Sequence, residues 1–459
     1  MSKLRLVTIA MVLTAITASV HAQTYSVLYN FGSTSGDPSD PRFSGAITQS
    51  RDGNLLSTAN DAWTDGIGSV FGITPGGTLT VLHHFNGADG QAPQGGLTLG
   101  LDGNYYGTTE SGGDSGWGTI FKITAHGSLT TLHSFASVAG GIFPSAPPIQ
   151  SIGGDFYGTT SGAEQNYGSI YKITPSGTFT LLHTFARIDG ASPYAPLLQG
   201  SYGIFYGTTF SGGTHGLGTI FRMNPSGSFA VLFNFDFAHG ANPYAPLIQG
   251  SDGDLYGVTA GGGSQGGGVV FKVTPSGTLT VLYNFTGGGD GKNEIGGLMQ
   301  ATDGNFYGTN NLGGASSWGV LYRITPSGVF TVLHSFEWST GASPQSTLLQ
   351  HTNGVLYGDT AVGGTGSGGD GTFYSFDVGL GPFVTFLPGT RRVGAIVEVL
   401  GQGFTGTTGV SLNGAVAQFS VVSDTYLTAI VPNGATSGLI TVTTPSGTLM
   451  SDKKFLVRP

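Results

Sequence analysis

The chain contains no cysteine. Disulfides, a thiol nucleophile and a cysteine-linked lipid anchor are therefore excluded. Charge is scarce too, with 16 Lys and Arg, 25 Asp and Glu, and only 9% charged residues in 459. With no basic stretch and a formal net charge of −9, nucleic acid and anionic lipid are not expected as partners. No segment repeats its apolar residues every 3.6 positions, so amphipathic helices are absent from the reading. Beyond the N-terminus no apolar run is long enough to span a membrane as a helix.

What is abundant is glycine, 82 residues, with 21 proline. Together they fall just under the level that marks low-complexity disorder. The 38% hydrophobic content and many aromatics point instead to packed all-β structure with frequent turns. At the N-terminus, Lys3 and Arg5 precede an apolar stretch over residues 6–18, and Val20, His21 and Ala22 offer small residues for cleavage. This is the pattern of a secretory signal peptide over residues 1–22. An exported protein, extracellular or periplasmic, is expected, with no stable membrane anchor after cleavage and a net charge of −11.

One short motif organises the rest. Residues 252–257 read DGDLYG, and copies stand at 102–107, 153–158, 202–207, 303–308 and 353–358, with a decayed one at 52–57. The Tyr positions (Leu56, Tyr106, Tyr157, Tyr206, Tyr256, Tyr307, Tyr357) are 49 to 51 residues apart, a fixed period that signals a repeat architecture. Each repeat divides into four strand-like runs, as over residues 243–285. Asp-Gly joins the first two runs and Pro-Ser-Gly the last two, both tight-turn chemistry. Four antiparallel strands per repeat make a β-propeller blade, and such hairpins argue against a parallel β-helix. The seventh repeat lacks a fourth run, and residues 24–31 (TYSVLYNF) supply an orphan one. The expected fold is all-β: a seven-bladed β-propeller of four-stranded blades over residues 23–380, its ring closed by the N-terminal strand. Residues 382–459 are strand-rich and non-repeating, suited to a small immunoglobulin-like β-sandwich.

Two resemblances follow from these residues. Residues 401–404 (GQGF), 410–414 (VSLNG), 423–425, 430–432 and 441–447 (TVTTPSG) resemble an IPT/TIG domain, an immunoglobulin-like module. The repeats, with DGxxYGTT, GTIFKITPSGT and LTVLHSF, resemble the GloVer tandem repeats of bacterial exported proteins. That resemblance implies export and brings no catalytic residues. Anchored members carry C-terminal anchors, whereas residues 455–459 here read as a last domain strand.

In a propeller, alternate turns fall on opposite faces. The short Asp-Gly and Pro-Ser-Gly turns share one face and the long variable loops share the other, where binding is expected. The aromatics Trp63, Trp117, Tyr167, Tyr194, Tyr244, Trp318 and Trp338 fall there as ligand-binding candidates, alternatively as packing at the blade tops. Gln49, Gln150, Gln199, Gln249, Gln300 and Gln350 close the first run of six repeats. They are channel-lining candidates, alternatively amides that satisfy backbone groups of a neighbouring blade. His83, His133, His183 and His334 recur in the fourth run, but Phe233, Tyr283 and Tyr29 replace them elsewhere, so packing and not metal is expected. Lys122, Lys172, Arg222, Lys272 and Arg323 read as a solvated stripe. The Asp-Gly carboxylates are too few for calcium. Residues 364–369 (GTGSGG) lack the following helix of a phosphate loop. Glu110 with Asp114, and Asp61 with Asp65, share loops, yet no catalytic set assembles. No cofactor or metal is expected. The expected function is a non-catalytic binding scaffold, a monomer whose ligand is carbohydrate or protein. The alternatives are a propeller-type polysaccharide lyase or hydrolase and a purely structural surface component.

Overall fold

The computed structural model describes residues 23–41, 47–61, 67–137, 141–162, 166–200, 203–366 and 368–458. The leader-like residues 1–22, together with Trp63 and Asp65, lie outside them. Among the described residues there is no α-helix, and no helix is long and apolar enough to cross a membrane.

Residues 48–335 fold into six four-stranded antiparallel sheets, I to VI, each with its strands side by side in chain order. In sheet II these are Thr98–Leu99, Tyr105–Thr109, Thr119–Ile123 and Leu129–Ser134. Sheet VII combines Leu349–Gln350, Leu356–Val362 and Thr372–Asp377 with Thr24–Asn30, which pairs antiparallel to Thr372–Asp377 at the sheet edge. The first strand of each sheet is only two residues long, whereas the second and third are buried almost throughout. Those middle strands have neighbouring sheets on both faces, so their residues run apolar or small without alternation. The fourth strand is intermediate to exposed throughout. A register shift between the third and fourth strands recurs in all seven sheets, for example between Ile120 and Phe121. Such a bulge tightens the local twist.

The Gly that follows each motif Tyr is a space requirement. A Cβ on Gly107 would stand 2.5 Å from Phe121 Cζ, and one on Gly207 2.4 Å from Phe221 Cζ. The third-strand ring lies flat over this glycine in the paired strand. Ring stacking then joins sheet to sheet. Tyr106 meets Phe156 at 3.8 Å and Tyr157 meets Phe205 at 4.2 Å. The succession returns on itself, because Phe31, Tyr357 and Phe373 of sheet VII share a core with Leu55 and Phe71 of sheet I.

Residues 385–458 form a separate unit. One four-stranded sheet (Thr385–Leu387, Ile396–Leu400, Tyr426–Ile430, Phe419–Ser423) faces another (Ala415–Val416, Gly409–Leu412, Ile440–Thr444, Gly447–Met450) across one apolar core containing Phe386, Phe404, Leu427 and Ile440. This unit docks on the Asp-Gly turns. Leu387, Leu400 and Tyr426 join Leu56, Leu99 and Tyr105 of sheets I and II in a common cluster. Arg51 Nη2 donates to Glu398 Oε1 at 2.7 Å, and the Thr425 hydroxyl donates to the Arg51 carbonyl at 2.7 Å. At sheet VII, Phe383 N donates to the Thr352 carbonyl at 3.0 Å, and Gln402 Nε2 to Thr352 Oγ1 at 2.8 Å.

Candidate functional site

The repeated motif builds its own turn. Asp102 Oδ1 accepts from Asn104 N at 3.1 Å, and Asp102 Oδ2 accepts from the Tyr106 hydroxyl at 2.9 Å. Asp252 with Tyr256 (2.7 Å) and Asp303 with Tyr307 (3.0 Å) repeat the clasp. Hydrogen bonds to Asn104 and Tyr106 hold the Asp102 carboxyl below its ordinary range against a desolvation cost that acts the other way. The motif carboxylates are thus engaged with the turn and its Tyr.

The glutamines act one level up, between sheets. Leu101 N donates to Gln150 Oε1 at 2.8 Å and Ile152 N to Gln199 Oε1 at 2.8 Å. Ser251 N donates to Gln300 at 2.9 Å, Thr302 N to Gln350 at 2.9 Å, and Thr352 N to Gln49 at 3.0 Å, the last running from sheet VII to sheet I. Each of these amides thereby satisfies a backbone N–H of the preceding sheet, and Gln150 Nε2 returns a bond to the Gly154 carbonyl of its own hairpin at 2.9 Å. Sheet II carries Leu99 at this position, and that is the seam on which the C-terminal unit packs. Gln49 and Gln350 are buried.

Gln150, Gln199 and Gln249 line a cavity of about 770 Å³ on the Asp-Gly side. First-strand residues of sheets II to V form one wall and the C-terminal unit the other, including Thr390, Lys453, Lys454 and Arg458. The short-turn end, expected to carry only scaffold, therefore holds a roofed cavity. Its C-terminal wall carries no signature in the sequence, because those residues join it only through docking.

On the long-loop side the candidate aromatics form separate groups instead of a ring. Trp117 is half-buried edge-on against Phe143 at 5.3 Å. Tyr167 is half-buried against the cluster of sheets III and IV. Tyr194 and Tyr244 stack at 4.9 Å, with Phe210 edge-on to both. Trp318 and Trp338 meet at 5.0 Å and remain 36% and 45% exposed. Half-buried Glu110 accepts a hydrogen bond from Gln94 Nε2, and burial pushes its carboxyl up. Burial, then Tyr194 and Glu110, push the Tyr244 hydroxyl up. Asp114 is exposed, whereas Glu110 is half-buried.

The recurring His rings stack across seams. His133 lies on Phe179 at 4.2 Å, His183 on Phe229 at 3.9 Å and His334 on Tyr25 at 4.0 Å. Tyr283 does the same on Phe330 at 4.1 Å. Among the described residues no group of three or more His, Cys, Asp or Glu could hold a metal ion. Of the recurring cations, Lys172 pairs with Asp155 at 3.4 Å and Lys272 with Asp254 at 3.0 Å.

A fungal alcohol oxidase of the AA5 family, solved in complex with copper, superposes with a TM-score of 0.51 at 14% identity, covering 96% of this chain and 99% of that one. A gluconolactonase from Xanthomonas campestris gives 0.42 at 11% identity (77% and 99% covered). A protein of unknown function from Bacteroides thetaiotaomicron gives 0.45 at 12% (77% and 76% covered). The first likeness shows an all-β, propeller-like fold. No curated protein matches the sequence. The model of the Gloeobacter/Verrucomicrobia repeat matches residues 14–204, 143–374 and 196–442. Spanning nearly the whole chain, these matches make the protein a member of the Gloeobacter/Verrucomicrobia repeat family.

Proposed function

We propose that the protein is an exported, non-catalytic carbohydrate-binding scaffold that engages its ligand on the long-loop face. In this reading residues 1–22 are a cleaved signal, residues 23–380 a seven-bladed propeller and residues 382–459 an IPT/TIG-like β-sandwich. The pairing of Thr24–Asn30 with Thr372–Asp377 and the Gln49–Thr352 bond support closure of the ring. The two facing sheets around Phe404 and Leu427 support the sandwich.

The observation that carries the binding reading is the Trp318–Trp338 pair. Two indoles exposed together present flat apolar surface to solvent. Sugar rings offer such surfaces an apolar face for stacking, while their hydroxyls stay in water. The test is a glycan array with the purified protein and its Trp318→Ala/Trp338→Ala variant. Binding of a defined glycan class, lost at least tenfold in the variant, is expected. A blank array, or binding indifferent to both substitutions, overturns the reading.

A second reading, a polysaccharide-cleaving enzyme, is favoured by Glu110. It is a half-buried carboxyl that burial pushes up, close enough to Tyr244 to act on its hydroxyl, and a general acid is a group of this kind. Release of reducing ends from a polysaccharide, abolished in Glu110→Gln, would replace the binding reading with this one.

A further inference from the structure

We propose that the cavity between the first strands of sheets II to V and the C-terminal unit is a second binding site, for a small anionic sugar. The argument starts from charge. The chain carries 16 Lys and Arg against 25 Asp and Glu. The cavity reverses that balance: Lys453, Lys454 and Arg458 stand in its lining, with no Asp or Glu among the described lining residues. Cations gathered at a cleft with low-dielectric walls focus their field inward and raise the local concentration of anions. In an acidic protein, such a concave surface attracts the sign of charge that the net charge of −9 would otherwise repel.

The rest of the lining fixes the type of anion. Among the described lining residues there is no aromatic ring, so none of them offers a planar apolar ligand a stacking surface. Hydroxyl and amide groups are plentiful: Thr98, Ser151, Thr390 and Ser437 face the space with Gln150 and Gln199. Each of those two amides gives one N–H to a hairpin carbonyl, Gly154 and Gly203 respectively. A primary amide has two N–H groups, so the second is available to a ligand. Sugar hydroxyls both donate and accept, which matches this lining, and a carboxylate or phosphate on the sugar meets the cations. The volume of about 770 Å³ sits inside the roughly 300–1,000 Å³ range of small-ligand sites.

The cations all come from the C-terminal unit and the glutamines all from the repeats, so the site exists only while the two are docked. It lies on the opposite side from Trp318 and Trp338, and the two sites are separable by substitution.

The experiment is calorimetric titration of the purified protein with digalacturonate, glucose 6-phosphate and, as neutral control, maltose, at 20 mM and 500 mM NaCl. The comparison variant is Lys453→Gln/Lys454→Gln/Arg458→Gln, whose exposed positions leave the core intact, checked by an unchanged melting temperature. Binding of either anionic sugar, weakened at least tenfold by the triple substitution and by high salt, and unaffected by Trp318→Ala/Trp338→Ala, is expected. Digalacturonate alone identifies a uronate site and glucose 6-phosphate alone a sugar-phosphate site. The proposal is overturned if neither anion binds at millimolar concentration, if maltose binds equally well, or if the triple variant binds as the parent does.

Discussion

At the scale of single residues, the informative positions are those where one repeat departs from the others. Glu294 lies where the preceding repeat has Pro243, and it is fully buried with the Tyr322 hydroxyl donating to its carboxylate at 2.5 Å. Burial pushes its carboxyl well above the ordinary value of 4.5. Asp359, in the place of a motif Thr, is pushed by burial from 3.8 to about 7, and its Oδ1 has no partner. A carboxyl with a raised folded-state pKa keeps its proton longer in the folded chain than in the unfolded one. Its contribution is whole below the unfolded pKa and is lost as pH rises toward the folded value. Stability should therefore fall between about pH 4 and pH 7 for Asp359, and from about pH 4.5 upward for Glu294. Urea midpoints measured from pH 4 to 8 should drop in the parent. They should drop less in Glu294→Gln, which keeps an acceptor for Tyr322, and less in Asp359→Asn. Parallel curves for parent and variants would show that neither carboxyl titrates in this way. These two residues could be named from the sequence as exceptions to the repeat, but their burial could not, because it depends on the sheet packed alongside.

At the scale of strands and sheets, much was legible. The four runs, their turns and the orphan run at residues 24–31 correspond to strands in the order read from the repeat. Periodicity made this possible, since seven noisy copies average to one clear pattern. The amide role of the glutamines was among the readings open from sequence, and the bonds to Leu101, Ile152 and Thr302 show it. The recurrent bulge before the fourth strand was not legible, because register lives in hydrogen bonds and not in composition. Nor was the purpose of the motif glycine, which is to lie beneath a third-strand ring. That purpose makes a graded prediction. At Gly207, under Phe221, a branched side chain has no room, and Gly207→Val should cost about 1–3 kcal/mol as overpacking. Sheet I tolerates Ser57 opposite Phe71, so Gly207→Ser should cost clearly less. Equal losses from the two substitutions in urea denaturation would mean that ring clearance is not what this position provides.

At the scale of the whole molecule, docking decides what the two ends can do, and it was invisible in the repeat itself. The repeat predicts equivalent seams, yet one seam differs. Leu99 replaces glutamine between sheets I and II, and Leu387, Leu400 and Tyr426 pack there. Arg51, where the other repeats have no cation, reaches Glu398 through Nε and Nη2 and lies 5.1 Å from the centre of the Tyr426 ring. Burial pushes the Glu398 carboxyl up, and the Arg51 guanidinium acts against that shift. The pair is only partly exposed, at 28% and 13%, so it should exceed a surface ion pair in value while falling short of a buried one, about 1–2 kcal/mol. Arg51→Glu should uncouple the C-terminal unit by placing two carboxylates together, and calorimetry should then resolve two unfolding transitions where the parent shows one. Adding Glu398→Arg to that variant restores opposite charges and should recover much of the coupling, though an arginine on the other side cannot repeat the contact with Tyr426. A single transition in Arg51→Glu would mean that the apolar cluster and the hydrogen bonds at Thr352 hold the units together without the ion pair. Two transitions in the parent would mean that the docked arrangement is not one cooperative unit. Because the cavity's cations belong to one unit and its glutamines to the other, the Arg51→Glu variant should also lose the anionic sugar while still binding at Trp318 and Trp338.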